Sequence, residues 1–569
     1  MTAPRLDRSL SRALLLLALA APLAAQMAGS LDPAFGSGGK VMLDFNGSTD
    51  IANAVALQPD GKLVVVGTTY VNNDYTEEDF ALLRLMPDGT PDASFGNGGR
   101  VTTNFPNLAA VASSVVVQPD GKILVAGGAF PDFTFLGDIV LARYMPDGSP
   151  DAGFGTGGIV VTSFPGQGSY AFALALQPDG RIVVAGTDFV AFSTGESSNT
   201  DFALARYLSN GTLDPSFGSG GRVVTDFGAR NDDAFAILVQ PDGRLVAVGS
   251  AIQPGQVQDF AAARYLANGT LDGSFGTGGK VMTDFGAAGF DQARSAVLQP
   301  DGKIVAAGFA ISNGGLTQPF ALARWDGNGV LDPGFDGDGL QKVDFSSFMQ
   351  AAYKVLLQPD GKILAVGFAD TESSDSDFLV ARLKSDGSLD ASFDGDGKVR
   401  TSFGNLNGGA KGAVLQPDGR LVAAGFQATF SSVWAEFAVA RYAADPGDWE
   451  DMGGPLVGAL GAPAATGTGS LLAGSADAVF LTDVIPSAPA LLFLALSSSP
   501  VPFKGGVLQP FPFLGPFVLA TGPAGHIEIP FTVPAGIPGG TELWLQWAVQ
   551  DAAAVKGVAL SNAIRGVAP

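Results

Sequence analysis

Cysteine is absent from this chain of 569 residues, and histidine occurs once, at His526. Thiolate metal sites, thiol nucleophiles, haem attachment and disulfide staples are therefore excluded, and the folded units must stand on apolar burial alone. A catalytic triad needs a base beside a nucleophile and an orienting acid. His526 instead opens an apolar run to Phe531 and reads as a strand-end histidine. Positive charge is scarce: 32 Lys and Arg face 55 Asp and Glu, a formal net charge of −23. A surface of that sign repels phosphate backbones and anionic lipid, which argues against nucleic acid as a partner. Long hydrophobic runs are lacking past the N-terminus, since the most apolar stretch, Ala488 to Leu496, is short and carries Pro489 just after Pro486. No transmembrane span is expected after signal cleavage.

The N-terminus itself has Arg5, Arg8 and Arg12 ahead of an apolar run from Ala13 to Leu19, then Pro22-Leu23-Ala24-Ala25. That order of charged, apolar and small residues is a secretory signal, so residues 1–25 read as a signal peptide and the protein as secreted, periplasmic or on the cell surface. Removing three Arg and Asp7 takes the net charge from −23 to −25. Gly (78) and Pro (36) are plentiful, but hydrophobic runs punctuate them throughout, so they mark tight turns rather than disorder.

The tetrapeptide Gln-Pro-Asp-Gly recurs from Gln58, Gln118, Gln177, Gln240, Gln299, Gln358 and Gln416, in steps of 60, 59, 63, 59, 59 and 58 residues. Units that repeat so regularly do not bury their faces alone and must stack on one another. In the first copy four strand-like runs appear: Ala52 to Leu57, Lys62 to Val66, Phe80 to Leu85 and Arg100 to Phe105. The first two flank Gln58-Pro59-Asp60-Gly61, where Pro presets a turn φ and Gly accepts a positive one, so they form a hairpin. The third carries an Ala-Arg-Tyr pattern, as in Ala142-Arg143-Tyr144, Ala205-Arg206-Tyr207 and Ala440-Arg441-Tyr442. A block Leu-Asp-x-x-Phe-Gly-x-Gly-Gly precedes the fourth, seen in full at Leu31 to Gly39 and Leu213 to Gly221. Four strands per period make a blade, and seven blades suit a closed propeller better than a β-helix or an open solenoid. The block at Leu31 and the strand Lys40 to Phe45 precede the first hairpin, while the last copy stops at Tyr442 with three strands. The opening strand is therefore expected to complete the last blade, with Val41 to Phe45 pairing along Phe437 to Tyr442, which removes a bare sheet edge.

These three motifs in this order resemble the bacterial delta-60 β-propeller repeats, over about Leu31 to Tyr442. The resemblance implies the fold and a surface or secreted setting, and it supplies no catalytic residues.

After Tyr442 the period stops. Ala443 to Gly454 is acidic and turn-rich, and residues 446–454 read as a linker between the propeller (26–445) and a C-terminal region (455–569). Short apolar runs there, Ala478 to Leu481, Leu491 to Leu496, His526 to Phe531 and Leu543 to Ala548, suggest a β-sandwich, and Gly557 to Ala563 resembles the closing strand of small C-terminal sandwich domains on exported planctomycete-type proteins. The fold class is thus all-β, a seven-bladed β-propeller closed by an N-terminal strand and followed by a β-sandwich.

Arg84, Arg143, Arg206, Arg264, Arg324, Arg382 and Arg441 occur once per blade, at the rim of an apolar interblade layer where a carboxylate or carbonyl can satisfy them. Sevenfold repetition marks them as structural. Asp336-Gly337-Asp338-Gly339 and Asp394-Gly395-Asp396-Gly397 replace the usual Gly-x-Gly-Gly. Their carboxylates are of a kind that holds Ca²⁺, but the full ligand ladder is missing and Asp tolerates turns, so neither metal nor cofactor is expected. Variation is concentrated in the loops between second and third strands, which share one face with the loops from fourth to first strands if the first strand lies at the axis. That face carries Tyr70, Tyr75, Phe133, Phe189, Phe192 and Trp434, the candidate ligand-binding residues, among Asp74, Glu77, Glu78 and Glu196. The leading expectation is a non-enzymatic exported binding or structural scaffold whose partner is an extracellular glycan or protein. Two alternatives are a carbohydrate-active or other hydrolytic propeller with paired axial carboxylates about 5–9 Å apart, and a self-assembling envelope protein.

Overall fold

Turn chemistry sets the first hairpin of every repeat. In the first copy Gly61 takes φ 83° and donates its N–H to the Gln58 carbonyl at 2.9 Å, while Gln58 N–H reaches Lys62 O at 2.8 Å and Lys62 N–H the Asp60 carboxylate at 3.2 Å. The computed structural model describes residues 28–45, 47–70, 78–106, 108–131, 137–166, 168–190, 199–228, 230–252, 257–286, 289–311, 317–347, 349–358, 361–370, 376–404, 407–416, 419–428 and 434–443, then 449–453, 464–468, 476–482, 489–495, 498–503, 506–510, 517–520, 527–532, 542–550, 558–560 and 563–567. Strand β1 (Lys40–Leu43) comes first, followed by β2 (Asp50–Leu57), β3 (Leu63–Tyr70), β4 (Glu78–Leu85) and β5 (Arg100–Thr103). The last four form one antiparallel sheet in chain order, and five more sheets repeat the pattern. In the seventh, β1 lies outside Ala435–Tyr442, Leu421–Ala428 and Gly408–Leu415.

The ring closes as the orphan strand suggests. Lys40 pairs with Ala440, Val41 with Val439, Met42 with Ala438 and Leu43 with Phe437, and Phe45 packs edge-on against Phe437 at 5.0 Å. The first strand of each blade packs against the first strands of both neighbours, all the way round, so these seven strands surround the axis. Several strand limits differ from those read in the sequence: β2 and β4 begin two residues earlier, at Asp50 and Glu78, and β1 stops at Leu43. The second strand runs on through Gly67 to Tyr70, because pairing with β2 and β4 continues past the glycine. The fourth stops at Thr103, and Phe105 turns inward onto Phe80 at 4.9 Å.

Neighbouring blades are bolted by the Arg-Tyr pair of the third strand. Each Arg points Nε at the Asp of the Leu-Asp-x-x-Phe-type block that follows it, or for Arg441 of the opening block at Leu31, at 2.7–2.9 Å, and lays its guanidinium 4.3–4.8 Å from the ring of that block's Phe. Arg84, Arg143, Arg206, Arg264, Arg324 and Arg441 also donate to a turn carbonyl of the next blade, those of Pro146, Ser209, Ala267, Gly327, Ser385 and Pro87. The aromatic after the Arg faces the other way: Tyr207 OH donates to Thr162 Oγ1 at 2.8 Å, Tyr265 to Thr225 at 2.9 Å, and Trp325 Nε1 to Thr283 at 2.9 Å, each in the preceding blade. Buried guanidinium groups thus find carboxylate, carbonyl and ring partners together, as removal from water requires. The seven recurring arginines are structural.

The propeller unit comprises Leu31–Gln416 and Leu421–Tyr442. In the second unit the described strands form a six-stranded sheet ordered Trp449–Gly453, Ala563–Val567, Glu542–Gln550, Pro489–Ala495 and Phe517–Ala520, with Val558–Leu560 also on Glu542–Gln550, plus sheets of three and two strands. Leu492, Phe493, Leu545 and Trp547 are buried there. His526 lies outside the described residues, as do residues 1–27. No helix among the described residues is long and apolar enough to cross a membrane.

Candidate functional site

The inner strand of every blade carries the same irregularity, built by two small residues. In blade 1 Ala52 pairs with Gly67, and a Cβ on Gly67 would overlap the carbonyl of Ile51. Gly127, Gly186, Gly249, Gly308, Gly367 and Gly425 stand in the same relation to Val111, Tyr170, Asp233, Gln292, Ala351 and Gly409. This close approach permits a β-bulge at which the register skips one residue, between Ala52 and Ala54 in blade 1 and at the equivalent place in the other six. Bulges re-aim a side chain. The skipped residues, Asn53, Ser113, Phe172, Phe235, Arg294, Tyr353 and Lys411, all line one axial cavity of about 550 Å³.

Each of these residues precedes the Gln of its turn by five positions, 53 before 58 through 411 before 416. Around the ring they read Asn, Ser, Phe, Phe, Arg, Tyr, Lys, so a symmetric frame presents an asymmetric wall. Tyr170, Lys354, Tyr70 and Glu78 add to the lining. Contacts run along it: Ser113 Oγ shares a hydrogen bond with Tyr170 OH, Tyr170 lies 4.7 Å from Phe172, Phe172 lies 4.6 Å from Phe235, and Arg294 stacks over Phe235 at 4.4 Å and Tyr353 at 5.3 Å. Lys411 Nζ donates to Asn53 Oδ1 at 3.2 Å, and Asn53 Nδ2 to Ala112 O at 2.9 Å.

Burial governs the electrostatics. It lowers the Lys354 ammonium, and it lowers Arg294 against the opposing pull of Tyr353 and Asp233. Lys411 falls to about 8 by burial first and by the charge of Arg294 second. Glu78 is raised by burial, and its hydrogen bond with Tyr70 acts in the other direction. It is the one carboxylate among the described lining residues.

Of the aromatics singled out in the sequence, Tyr70 lies at the end of β3 and lines the cavity. Phe189, near the end of Ile182–Val190, pairs opposite Gly168, and Trp434 directly precedes Ala435–Tyr442; both are partly buried and neither is among the lining residues. Tyr75, Phe133 and Phe192 lie outside the described residues, as do Asp74, Glu77 and Glu196. Sequence reasoning missed the ring of bulged residues. Its signal was available: a varying residue after a recurrent Ala, five positions before each Gln-Pro-Asp-Gly, with an isolated Gly in the next strand.

Carboxylates gather elsewhere, between blades. Asp201, Asp226 and Asp232 bring oxygens within 4.8 Å of one another, and so do Asp259, Asp284 and Asp291; three oxygens so placed are a donor set that suits a divalent cation. Burial first, and like charge after it, pushes Asp232 up to about 7 and Asp201, Asp259 and Asp291 up to about 6. In blade 1 Asn104 takes the loop position and donates to Asp79 at 3.0 Å. In the Asp-Gly-Asp-Gly loops, Asp338 and Asp396 accept from Leu340 N–H at 2.8 Å and Lys398 N–H at 2.9 Å, while Asp336 and Asp394 occupy positive φ of 50° and 51°.

Comparison with curated proteins gives no match. Among solved structures, a protein of unknown function from Dyadobacter fermentans shares 15% identity over 73% of this chain and 100% of its own, with a TM-score of 0.41. An inactivated virginiamycin B lyase from Staphylococcus aureus shares 10% over 70% and 98%, at 0.38. A polysaccharide lyase acting as an ulvan lyase shares 11% over 71% and 96%, at 0.42. Residues 58–95, 118–154, 177–217, 240–275, 299–335 and 358–393 match a family model described as "Domain of unknown function (DUF5122) beta-propeller", each segment running from the Gln of one turn to the Phe of the Leu-Asp-x-x-Phe-type block that follows. The chain is a β-propeller repeat protein, with six of its seven repeats matching that model.

Proposed function

We propose that this protein is an exported, non-enzymatic binding module that takes its ligand, an extracellular glycan or protein segment, into the axial cavity. The observation that carries this reading is the ring of seven bulged residues, whose chemistry differs from blade to blade while the frame holding them repeats. A purely architectural ring has no use for such differences, and a rigid concave wall with a few polar groups among aromatics is the usual form of a ligand site. The cavity lining includes Thr68, Tyr70 and Glu78, at the ends of β3 and β4 from which the varying loop of the first blade departs. The strand ends beside Phe189 and Trp434 then serve as the rim. Hydrolysis of a glycosidic bond calls for two carboxyl groups about 5–9 Å apart, and the described lining offers Glu78 alone. Export is supported by the signal-like residues 1–25, and residues 455–569 are read as an accompanying β-sandwich. Probing an array of extracellular glycans and matrix proteins with the full-length protein and with Phe172→Ala/Phe235→Ala tests the reading. Binding by the native chain that the double variant loses supports it. Binding that survives in the variant, or conversion of the bound probe into product, overturns it.

A further inference from the structure

Among the described lining residues of the axial cavity are three cations, Arg294, Lys354 and Lys411, against the single carboxylate Glu78, in a protein whose net charge is −23. Their partners are few. Arg294 Nε is buried without a hydrogen bond among the described residues, and for Lys354 no hydrogen bond or charge of a described residue offsets the effect of burial. Asp233, whose charge acts on Arg294, is outside the lining and accepts from Thr200 Oγ1 at 3.2 Å. The contrast with the recurring arginines is sharp, since each of those has a carboxylate within 2.9 Å. Removing a cation from water without such a partner is costly, and burial depresses Arg294, Lys354 and Lys411 alike. A cost kept where the chemistry differs from blade to blade on a repeating frame calls for an occupant that offsets it.

Resting on the binding role proposed above, we infer that the axial cavity recognises an oxyanion carried on a sugar ring, an acidic saccharide bearing a carboxylate or a sulfate ester. Arg294 and Lys354 supply the charge-assisted hydrogen bonds that such an oxyanion accepts. The continuous arc of Tyr170, Phe172 and Phe235 offers ring faces for the apolar side of a pyranose, and Asn53 and Ser113 face it with amide and hydroxyl groups suited to its hydroxyls. About 550 Å³ accommodates a short oligosaccharide rather than a lone ion.

The test has two arms on the full-length protein. An array of matched neutral, uronate-containing and sulfated oligosaccharides is expected to show binding to acidic members at least tenfold tighter than to their neutral twins, and Lys354→Met and Arg294→Met should each cut that preference at least tenfold. The uronate and sulfate series separate the two sources of the charge. Equal binding of neutral and acidic members that is lost in Phe235→Ala overturns the anion assignment and leaves the axial site standing; no binding to any member overturns both. The second arm needs no saccharide. A cation held without a partner strains the fold, so Lys354→Met is expected to raise Tm by about 2 °C, and a fall in Tm would show Lys354 to be a structural residue and sink the inference.

Discussion

Replacing Arg206 by Ala removes one interblade bolt and leaves the rest of the ring intact. Arg206 is 5% exposed; its Nε lies 2.9 Å from Asp214 Oδ2, an NH2 group donates to Ser216 Oγ at 3.2 Å, another donates to Ala267 O of the next blade, and the guanidinium covers Phe217 at 4.5 Å. Breaking a buried pair by deleting one partner costs about 3–5 kcal/mol, chiefly because the other charge is stranded. Asp214 is not wholly stranded, since Arg181 Nε also reaches it at 3.0 Å from a side chain that is 38% exposed. The lower end of the range applies, about 3 kcal/mol, part of it the lost stacking on Phe217. An unfolding entropy of ~2.1 cal/mol/K per residue over about 410 residues gives ~0.9 kcal/mol/K, so Tm should fall by about 3 °C. Arg206→Lys keeps the charge but not the planar fork and should lose about half as much. The assay is thermal denaturation of the single variants, of Asp214→Ala and of the double variant, where a coupling of about 2 kcal/mol is expected. A Tm for Arg206→Ala within 0.5 °C of the native value, a tolerance set at about one-sixth of the expected shift, or singles that simply add, would refute the bolt.

The acidic clusters make stability depend on pH. Asp50 and Asp232 stand near 7 and Asp201, Asp259 and Asp291 near 6 in the fold, against 3.8 for the free group. Between pH 4 and 7 the folded chain therefore binds more protons than the unfolded one, and stability must fall as pH rises through that window. Tm at pH 5 should exceed Tm at pH 7.5, and Asp232→Asn, removing a contribution on the order of 4 kcal/mol, should flatten the profile; a Tm that rises from pH 5 to 7.5 contradicts the burial of these groups. Deleting residues 27–46 takes away β1, Asp32 and Phe35, and with them the outer strand and the Arg441 bolt of the last blade. Size-exclusion chromatography should then show oligomers or aggregate, and a monomer of unchanged Tm would mean that the ring does not depend on closure. Gly308→Ala puts a methyl group into the Gln292 carbonyl and should cost about 2–4 kcal/mol, read as a lower denaturant midpoint; a neutral effect would mean the bulge before Ser295 tolerates a wider strand spacing.

Much of this architecture is legible in the sequence because its determinants are local. A Pro-Asp-Gly turn dictates a hairpin wherever it stands, and its return every 58–63 residues leaves few ways to stack the resulting sheets. The surplus strand before Gln58 and the missing one after Tyr442 locate the closure by counting alone. The axial site is different in kind. Whether Arg294 points at the axis or into a blade depends on one skipped residue in the pairing of two strands, and a one-residue slip exchanges the two faces. Gly308 reads as a weak strand end when taken by itself; only across the sheet, against the Gln292 carbonyl, does it become the reason for the bulge. Variation is more visible in the loops because loops vary at many positions together, whereas in the inner strand the bulged residue is a single varying position behind a constant Ala, as in Ala52-Asn53-Ala54 and Ala171-Phe172-Ala173. A ring of near-identical blades gains an asymmetric centre with the least disturbance if each contributes a single re-aimed side chain from a constant backbone. The seven bulges do this, and for that reason a charged or aromatic residue at the position five before a Gln-Pro-Asp-Gly turn bears on recognition, while the Arg of the Ala-Arg-Tyr strand bears on stability.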